Sequence, residues 1–173
     1  DLEASSFRRL AVVAVVQHPA YFDDFNPEND IALVQLAEPA NVPPVRLFDS
    51  AEQEQPGVSS RIVGWGNRSK DFDQPDFPAI LHEVDVPIAD FDFVNALAAF
   101  QHDPLTPDML PAGFDQPWKA GCFGDSGGPL LVQASSLMAP ESFEWVQVGV
   151  ASWALGCGEE IPYTMYSRVS TGR

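Results

Sequence analysis

The sequence predicts an all-β fold made of short strands closed into packed barrels, and three observations carry that prediction. Seven short segments are rich in Val, Ile, Leu or aromatic residues and bounded by Gly, Pro, Asn or Asp. Several are unbroken apolar runs, the pattern of strands covered on both faces rather than of an open, half-solvated sheet. The 16 prolines and 12 glycines are scattered along the chain, so they punctuate many short elements instead of forming a linker.

The predicted strands are, in order, Leu10–Val16, Ile31–Leu36, Arg61–Trp65, Leu81–Pro87, Pro129–Val132, Trp145–Ser152 and Met165–Val169. One segment breaks the pattern. Asp90–His102 spaces Phe91, Val94, Leu97 and Ala98 at helical intervals behind an aspartate able to cap a helix, and it predicts a helix or helical turn. The polar stretch Ala51–Ser60 separates two strand-rich regions and predicts a boundary, giving units 1–55 and 56–173.

Composition narrows the function. The hydrophobic fraction of 45% and charged fraction of 20% are ordinary for a folded domain. The formal net charge of −16 is not, and with only nine Lys and Arg it excludes the basic patch that phosphate backbones require. The same charge opposes binding to anionic membranes and suits a saline or extracellular setting, where self-repulsion is screened. No window approaches eighteen consecutive apolar residues, and Leu10–Val16 is too short for a span and lacks a signal-peptide cleavage site. Neither nucleic acid nor membrane is therefore an expected partner. Asp1 implies a chain that begins within a longer product or after processing. Cys122 and Cys157 permit one bridge, or two buried thiols.

The chemistry is concentrated in Gly124-Asp125-Ser126-Gly127-Gly128-Pro129. At average residue usage this hexapeptide arises by chance in about one chain in 10⁵ of this size, too rarely for a plain glycine-rich turn to be the better explanation. A nucleophilic serine needs an exposed hydroxyl with backbone N–H groups aimed at the developing oxyanion, and flanking glycines allow the tight turns that provide both. The α/β-hydrolase elbow shares the Gly-x-Ser-x-Gly pattern but orders its triad serine, acid, histidine. Here His18, His82 and His102 all precede Ser126, so that order is excluded.

The order histidine, aspartate, serine belongs to another family. The chain resembles chymotrypsin–trypsin-like serine endopeptidases over most of its length. Gln17-His18-Pro19-Ala20-Tyr21 is similar to the segment before that family's triad aspartate, and Asn29-Asp30-Ile31-Ala32-Leu33-Val34-Gln35-Leu36 to the aspartate motif itself. Gly64-Trp65-Gly66, Leu81-His82-Glu83-Val84-Asp85-Val86-Pro87-Ile88 and Thr106-Pro107-Asp108-Met109-Leu110 have counterparts in order. So do Val148-Gly149-Val150-Ala151-Ser152-Trp153 and Tyr166-Ser167-Arg168-Val169-Ser170. The resemblance implies a double six-stranded antiparallel β-barrel, here with the first barrel incomplete (1–55) and the second nearly complete (56–173).

It also implies roles. Ser126 would be the nucleophile, Asp30 the triad acid, and the N–H groups of Gly124 and Ser126 the oxyanion hole. Asp125 would pair with an α-amino group freed by zymogen cleavage. Ser152 and Trp153 would lie on the strand that pairs with substrate backbone. Ala120 would be the specificity-pocket floor, with Ala154 and Thr164 its walls. Lacking a floor carboxylate, such a pocket would leave Lys or Arg unpaired and favour small or medium apolar side chains. Cys122 and Cys157 would be bridged beside the pocket, which in turn implies an oxidising, secreted or periplasmic location. No cofactor or metal is called for.

The departures are as informative. The family's histidine lies in a His-Cys motif well upstream of its aspartate, and none of the 29 residues before Asp30 matches it. His18 falls in a structural loop by resemblance, and His82 and His102 read as surface or loop residues. The resemblance therefore implies a serine endopeptidase fragment without its histidine, inactive alone, whose partners are a protein or peptide substrate and the missing N-terminal segment of the same protein. A non-catalytic, protease-like binding domain is the alternative.

Overall fold

Among the described residues nine strands carry most of the regular structure, and helix is confined to a few turns. In the computed structural model of the chain, residues 8–23, 27–48, 50–69, 71, 73–102, 104–114, 119–135, 143–158 and 161–171 are described. Asp1, Glu159, Glu160 and Arg173, and the side chain of Ala98, lie outside them.

β1 (Val12–Gln17) and β2 (Ala32–Leu36) form a two-stranded antiparallel sheet of their own. β3 (Arg46–Leu47) is a short strand running parallel to β8. β4 (Ser59–Gly64), β5 (His82–Pro87), β6 (Met109–Gly113), β7 (Pro129–Ser135), β8 (Phe143–Ala154) and β9 (Tyr163–Arg168) form the large sheet, in the order β5-β4-β7-β8-β9-β6. Its two outer strands meet where Ile88 bridges Ala112 and the Ala89 N–H donates to the Pro111 carbonyl at 2.9 Å. The sheet thereby curls onto itself, which satisfies edges that would otherwise template aggregation. The fold is the expected all-β, chymotrypsin-like barrel architecture.

Period-2 alternation fills the interior. Leu130 and Val132 of β7, Val146 and Val148 of β8, and Ile62 of β4 are buried together with Val86, Ile88, Leu110 and Tyr166. β6 and β9 are buried on both faces, because their outward residues Met109, Tyr163 and Met165 pack with Val94, Phe100 and Leu105 in a second cluster. Val94 comes from the helix α1 (Phe91–Asn95), and Asp90 caps it by accepting from the Phe93 N–H at 2.8 Å. The predicted helix is thus real at its N-terminus but stops at Asn95, and only a 3-10 turn, Ala98–Phe100, follows. Asn95 ends it locally, its side chain accepting from the Leu105 N–H at 2.8 Å to tie the helix end to the next segment.

Strand β6 was not predicted, because Pro111 and Gly113 read as breakers; antiparallel pairing with β9 and burial override that local preference. The polar Ala51–Ser60 stretch holds a 3-10 turn, Ala51–Glu54, capped by Ser50. Its Glu54 pairs with Arg168 of β9 at 2.5 Å, so this stretch is anchored to the barrel.

Candidate active site

Two consecutive turns present the serine. The first, Cys122–Asp125, is closed by the Asp125 N–H donating to the Cys122 carbonyl at 3.0 Å; the second, Asp125–Gly128, by the Gly128 N–H donating to the Asp125 carbonyl at 2.8 Å. The third residue of each is a glycine at positive φ, +97° at Gly124 and +79° at Gly127, as type II turns require. Ser126 therefore sits on a corner. The Gly127 N–H donates to the Ala151 carbonyl and the Ala151 N–H to the Gly128 carbonyl, each at 2.8 Å, which fastens the corner to β8. The N–H groups of Gly124 and Ser126 have no acceptor among the described residues, leaving two donors open beside the hydroxyl.

Asp125 points the other way. Its carboxylate accepts from the Gly66 N–H at 2.8 Å and from the Cys122 N–H at 3.0 Å. A side chain at Gly64 or Gly66 would overlap it, so the glycines of Gly64-Trp65-Gly66 make room for this carboxylate. Asp125 also lines a cavity of about 220 Å³ with Asn67, Arg68, His82, Glu83 and Ala120.

Asp30 stands at the entrance to β2, outside the large sheet. Its carboxylate accepts from the Ser152 hydroxyl at 2.7 Å, and its carbonyl from the Ser167 hydroxyl at 2.8 Å. Ser152 is free to reach it because the β8–β9 register slips between Ala151 and Trp153, and such a bulge re-aims the extra residue. The preceding Asn29 adopts φ +51°, held by its N–H to Asp108 at 2.6 Å and its side-chain amide to the Ala20 carbonyl at 3.1 Å. Asp108 is in turn held by the Thr106 hydroxyl at 2.5 Å. Sequence reasoning gave Asp108 no part in the site; its lone signal was its place in Thr106-Pro107-Asp108.

Ser126 and Ser152 line one cavity of about 210 Å³ with Trp153, Ala154 and Thr164. The Cys122–Cys157 disulfide, with Cα atoms 4.8 Å apart, forms part of its wall. Ala120, expected at the floor, lines the adjoining cavity beside Cys122 and Asp125. The Gly121 N–H donates to the Thr164 hydroxyl at 3.1 Å, joining two residues of the Ser126 cavity wall. Beyond Val150 strand β7 no longer pairs with β8, so Ser152–Ala154 keep an open edge on the Ser126 side.

None of the three histidines lines the Ser126 cavity. His18 sits in a turn, its Nδ1 accepting from the Ala20 N–H at 3.2 Å, and no hydrogen bond joins it to Asp30 or Ser126. His82 is exposed at the start of β5 beside Arg68, and His102 is exposed after the 3-10 turn. Behind the cavity Tyr166 is fully enclosed. Burial first, and then the Asp125 carboxylate, push its hydroxyl well above the usual tyrosine range; Thr164 opposes this, but the Tyr166 hydroxyl makes no well-formed hydrogen bond among the described residues.

A family model described as Trypsin matches residues 3–172. The chain is 36% identical over 166 residues to mannan-binding lectin serine protease 1 of Homo sapiens, and 35% identical over 169 residues to the protein of that name from Mus musculus. Each alignment covers 94% of this chain and 22% of the relative, so the chain spans about a fifth of the length of these proteins. With its fold, its Ser126 corner and a family match over nearly its whole length, the chain belongs to the trypsin-like serine protease family.

Proposed function

We propose that this chain is the nucleophile-bearing part of a serine endopeptidase, working through an acyl-enzyme, whose base is a histidine supplied from outside these 173 residues. The observation that carries the reading is the 2.7 Å hydrogen bond from Ser152, which lines the Ser126 cavity, to the Asp30 carboxylate. It draws the partly buried Asp30 carboxylate, carried at the entrance to β2, to the serine's side, where an oriented anion would stabilise an imidazolium. Ser126 would attack the scissile carbonyl as the base takes its proton, and the N–H groups of Gly124 and Ser126 would donate to the oxyanion. Asp125 would accept an activating α-amino group in the cavity it lines.

Peptide would add to the open Ser152–Ala154 edge as an extra strand. Its side chain would enter the cavity lined by Ala151, Trp153, Ala154 and Thr164. Asp125 is the one carboxylate lining that cavity among the described residues, and its oxygens are turned toward Gly66 and Cys122, where the α-amino group would neutralise it. Small or medium uncharged side chains are therefore preferred over Lys and Arg, whose charge would be buried unpaired. The disulfide supports an oxidising location, extracellular or periplasmic.

Without a base, serine is a weak nucleophile, and carboxylates are poorly matched in pKa to the task at neutral pH. The test is labelling by an organophosphonate that reports on activated serines. The expected result is no labelling of the 173-residue chain and stoichiometric labelling of Ser126 in a form extended upstream through a His-Cys motif. Labelling of the short chain would return His18 to the role of base. No labelling of either form, with peptide binding retained, would favour a non-catalytic binding domain.

A further inference from the structure

We propose that Asn67 is a positioning residue for the Gly124 N–H, fixing the orientation of the Phe123–Gly124 peptide; the proposal rests on the peptidase reading of Ser126. Type I and type II turns differ by a flip of their middle peptide, which in the Cys122–Asp125 turn is Phe123–Gly124. Glycine at position 124 accepts φ of either sign, so it chooses neither form. The choice is made from outside the turn. The Asn67 N–H donates to the Phe123 carbonyl at 2.8 Å. In a planar trans peptide the C=O and the following N–H point in opposite directions, and the described chain contains no cis peptide. Holding the Phe123 oxygen on the Asn67 side therefore aims the Gly124 N–H away, where it meets no acceptor among the described residues. A flip would break this bond, turn two N–H donors toward each other and put a carbonyl where the oxyanion must form.

The Asn67 side chain keeps its own backbone in place. It is buried, and its amide oxygen accepts from the Ser69 N–H at 3.0 Å and from the Asp76 N–H at 2.8 Å, stapling both ends of one loop. Arg68 reinforces the staple through its N–H to the Asp76 carbonyl at 3.0 Å and its guanidinium to the Asp76 carboxylate at 2.7 Å. The next residue, Phe77, lays its ring against Gly124, 3.2 Å from the point a Cβ there would occupy, and the Gly66 Cα lies 3.3 Å from that point. One buried amide thus sets both ends of a brace along the turn, on the wall of the cavity that Asp125 also lines. Both bonds use the side chain as an acceptor only. An aspartate can replace it; an alanine cannot.

The experiment compares wild type, Asn67→Ala and Asn67→Asp in the full-length protein carrying this sequence. It reads kcat and KM on a peptide substrate and the Gly124 amide resonance with 15N-labelled glycine. Asn67→Ala is expected to lower kcat about 10- to 100-fold, short of the 10²–10³ lost with an entire oxyanion donor, and to leave KM within about twofold. It should also shift the Gly124 resonance, while Asn67→Asp stays close to wild type in every readout. Equal losses in both variants, or a loss confined to KM, overturn the proposal. Wild type without Ser126-dependent hydrolysis overturns the peptidase reading alone. The positioning claim is then decided by the resonance: displaced in Asn67→Ala and restored in Asn67→Asp, it stands; unmoved in Asn67→Ala, it falls.

Discussion

The β1–β2 pair and the barrel use the same residues to opposite effect. Val15 of β1 is 63% exposed and Leu33 of β2 is 74% exposed, whereas Val132 and Leu130 of β7 are each 0% exposed. Propensity makes all of them strand; closure decides whether the strand buries anything. Among the described residues β1 and β2 pair with no other strand, while β7 lies between β4 and β8 and faces a filled interior. Asp30, carried by the weakly packed pair, takes its precision from the barrel, through Ser152, Ser167 and the Asp108 contact to Asn29. The lesson is that a site residue need not be held by the element that bears it.

The largest effect that separates the two regions is expected in the core. Leu130→Ala should cost about 3–5 kcal/mol, the transfer term plus an unrelaxed cavity, because Leu130 touches no solvent and sits among side chains with no free surface to collapse onto. Leu33→Ala, an identical chemical change in the β1–β2 pair, should cost less than about 1 kcal/mol. Urea unfolding of both variants measures this. Equal losses would mean that the exposed pair is covered in solution.

How much of this was legible in the sequence divides along the same line. Ser126, Gly124 and Asp125 were readable because the chemistry tolerates few residues around a nucleophilic turn, and Asp30 because its string Asn29–Leu36 resembles a family motif. Strands β4, β5, β7, β8 and β9 were readable as apolar runs, with their ends misplaced by one to three residues where pairing outlasts the apolar pattern. What was hidden depends on contacts far apart in sequence. Pro111 and Gly113 mask β6, whose partner β9 lies about fifty residues on. Asn67 and Phe77 carry no local mark of their contact with the turn at Phe123–Gly124. The hydrogen bond from the Gly121 N–H to the Thr164 hydroxyl, across 43 residues, likewise carries no local mark.

A smaller effect tests the interior by pH. Tyr166 is held neutral by burial, with the Asp125 carboxylate adding to the rise, so its folded-state pKa lies above the unfolded value of 10.0. The group's contribution is therefore fully present below that value and is lost as pH climbs past it, because the unfolded chain releases a proton that the folded chain retains. Stability should fall by up to about 1.4 kcal/mol per pH unit above 10 from this residue. Tyr166→Phe should remove that slope, as measured by unfolding midpoints between pH 9 and 11. An unchanged slope would place the alkaline sensitivity elsewhere.

The smallest expected effect is the sharpest test of the exposed region. Val15→Thr keeps a β-branched side chain and hence the strand preference of β1, while making polar a position that faces Val34 across the pair. If Val15 is as open in solution as its 63% exposure states, it contributes almost no burial free energy, and stability should move by no more than about 0.5 kcal/mol. Solubility should rise, because the change interrupts the exposed apolar pair that Val15 makes with Val34 across the two strands. Urea midpoints and the concentration at which the chain begins to scatter light read the two effects separately. A loss above about 1 kcal/mol that disappears on dilution would show that copies of the chain cover this face by association. A loss of that size at every concentration would break the comparison itself, since it would mean that the β1–β2 pair is packed as tightly as the barrel.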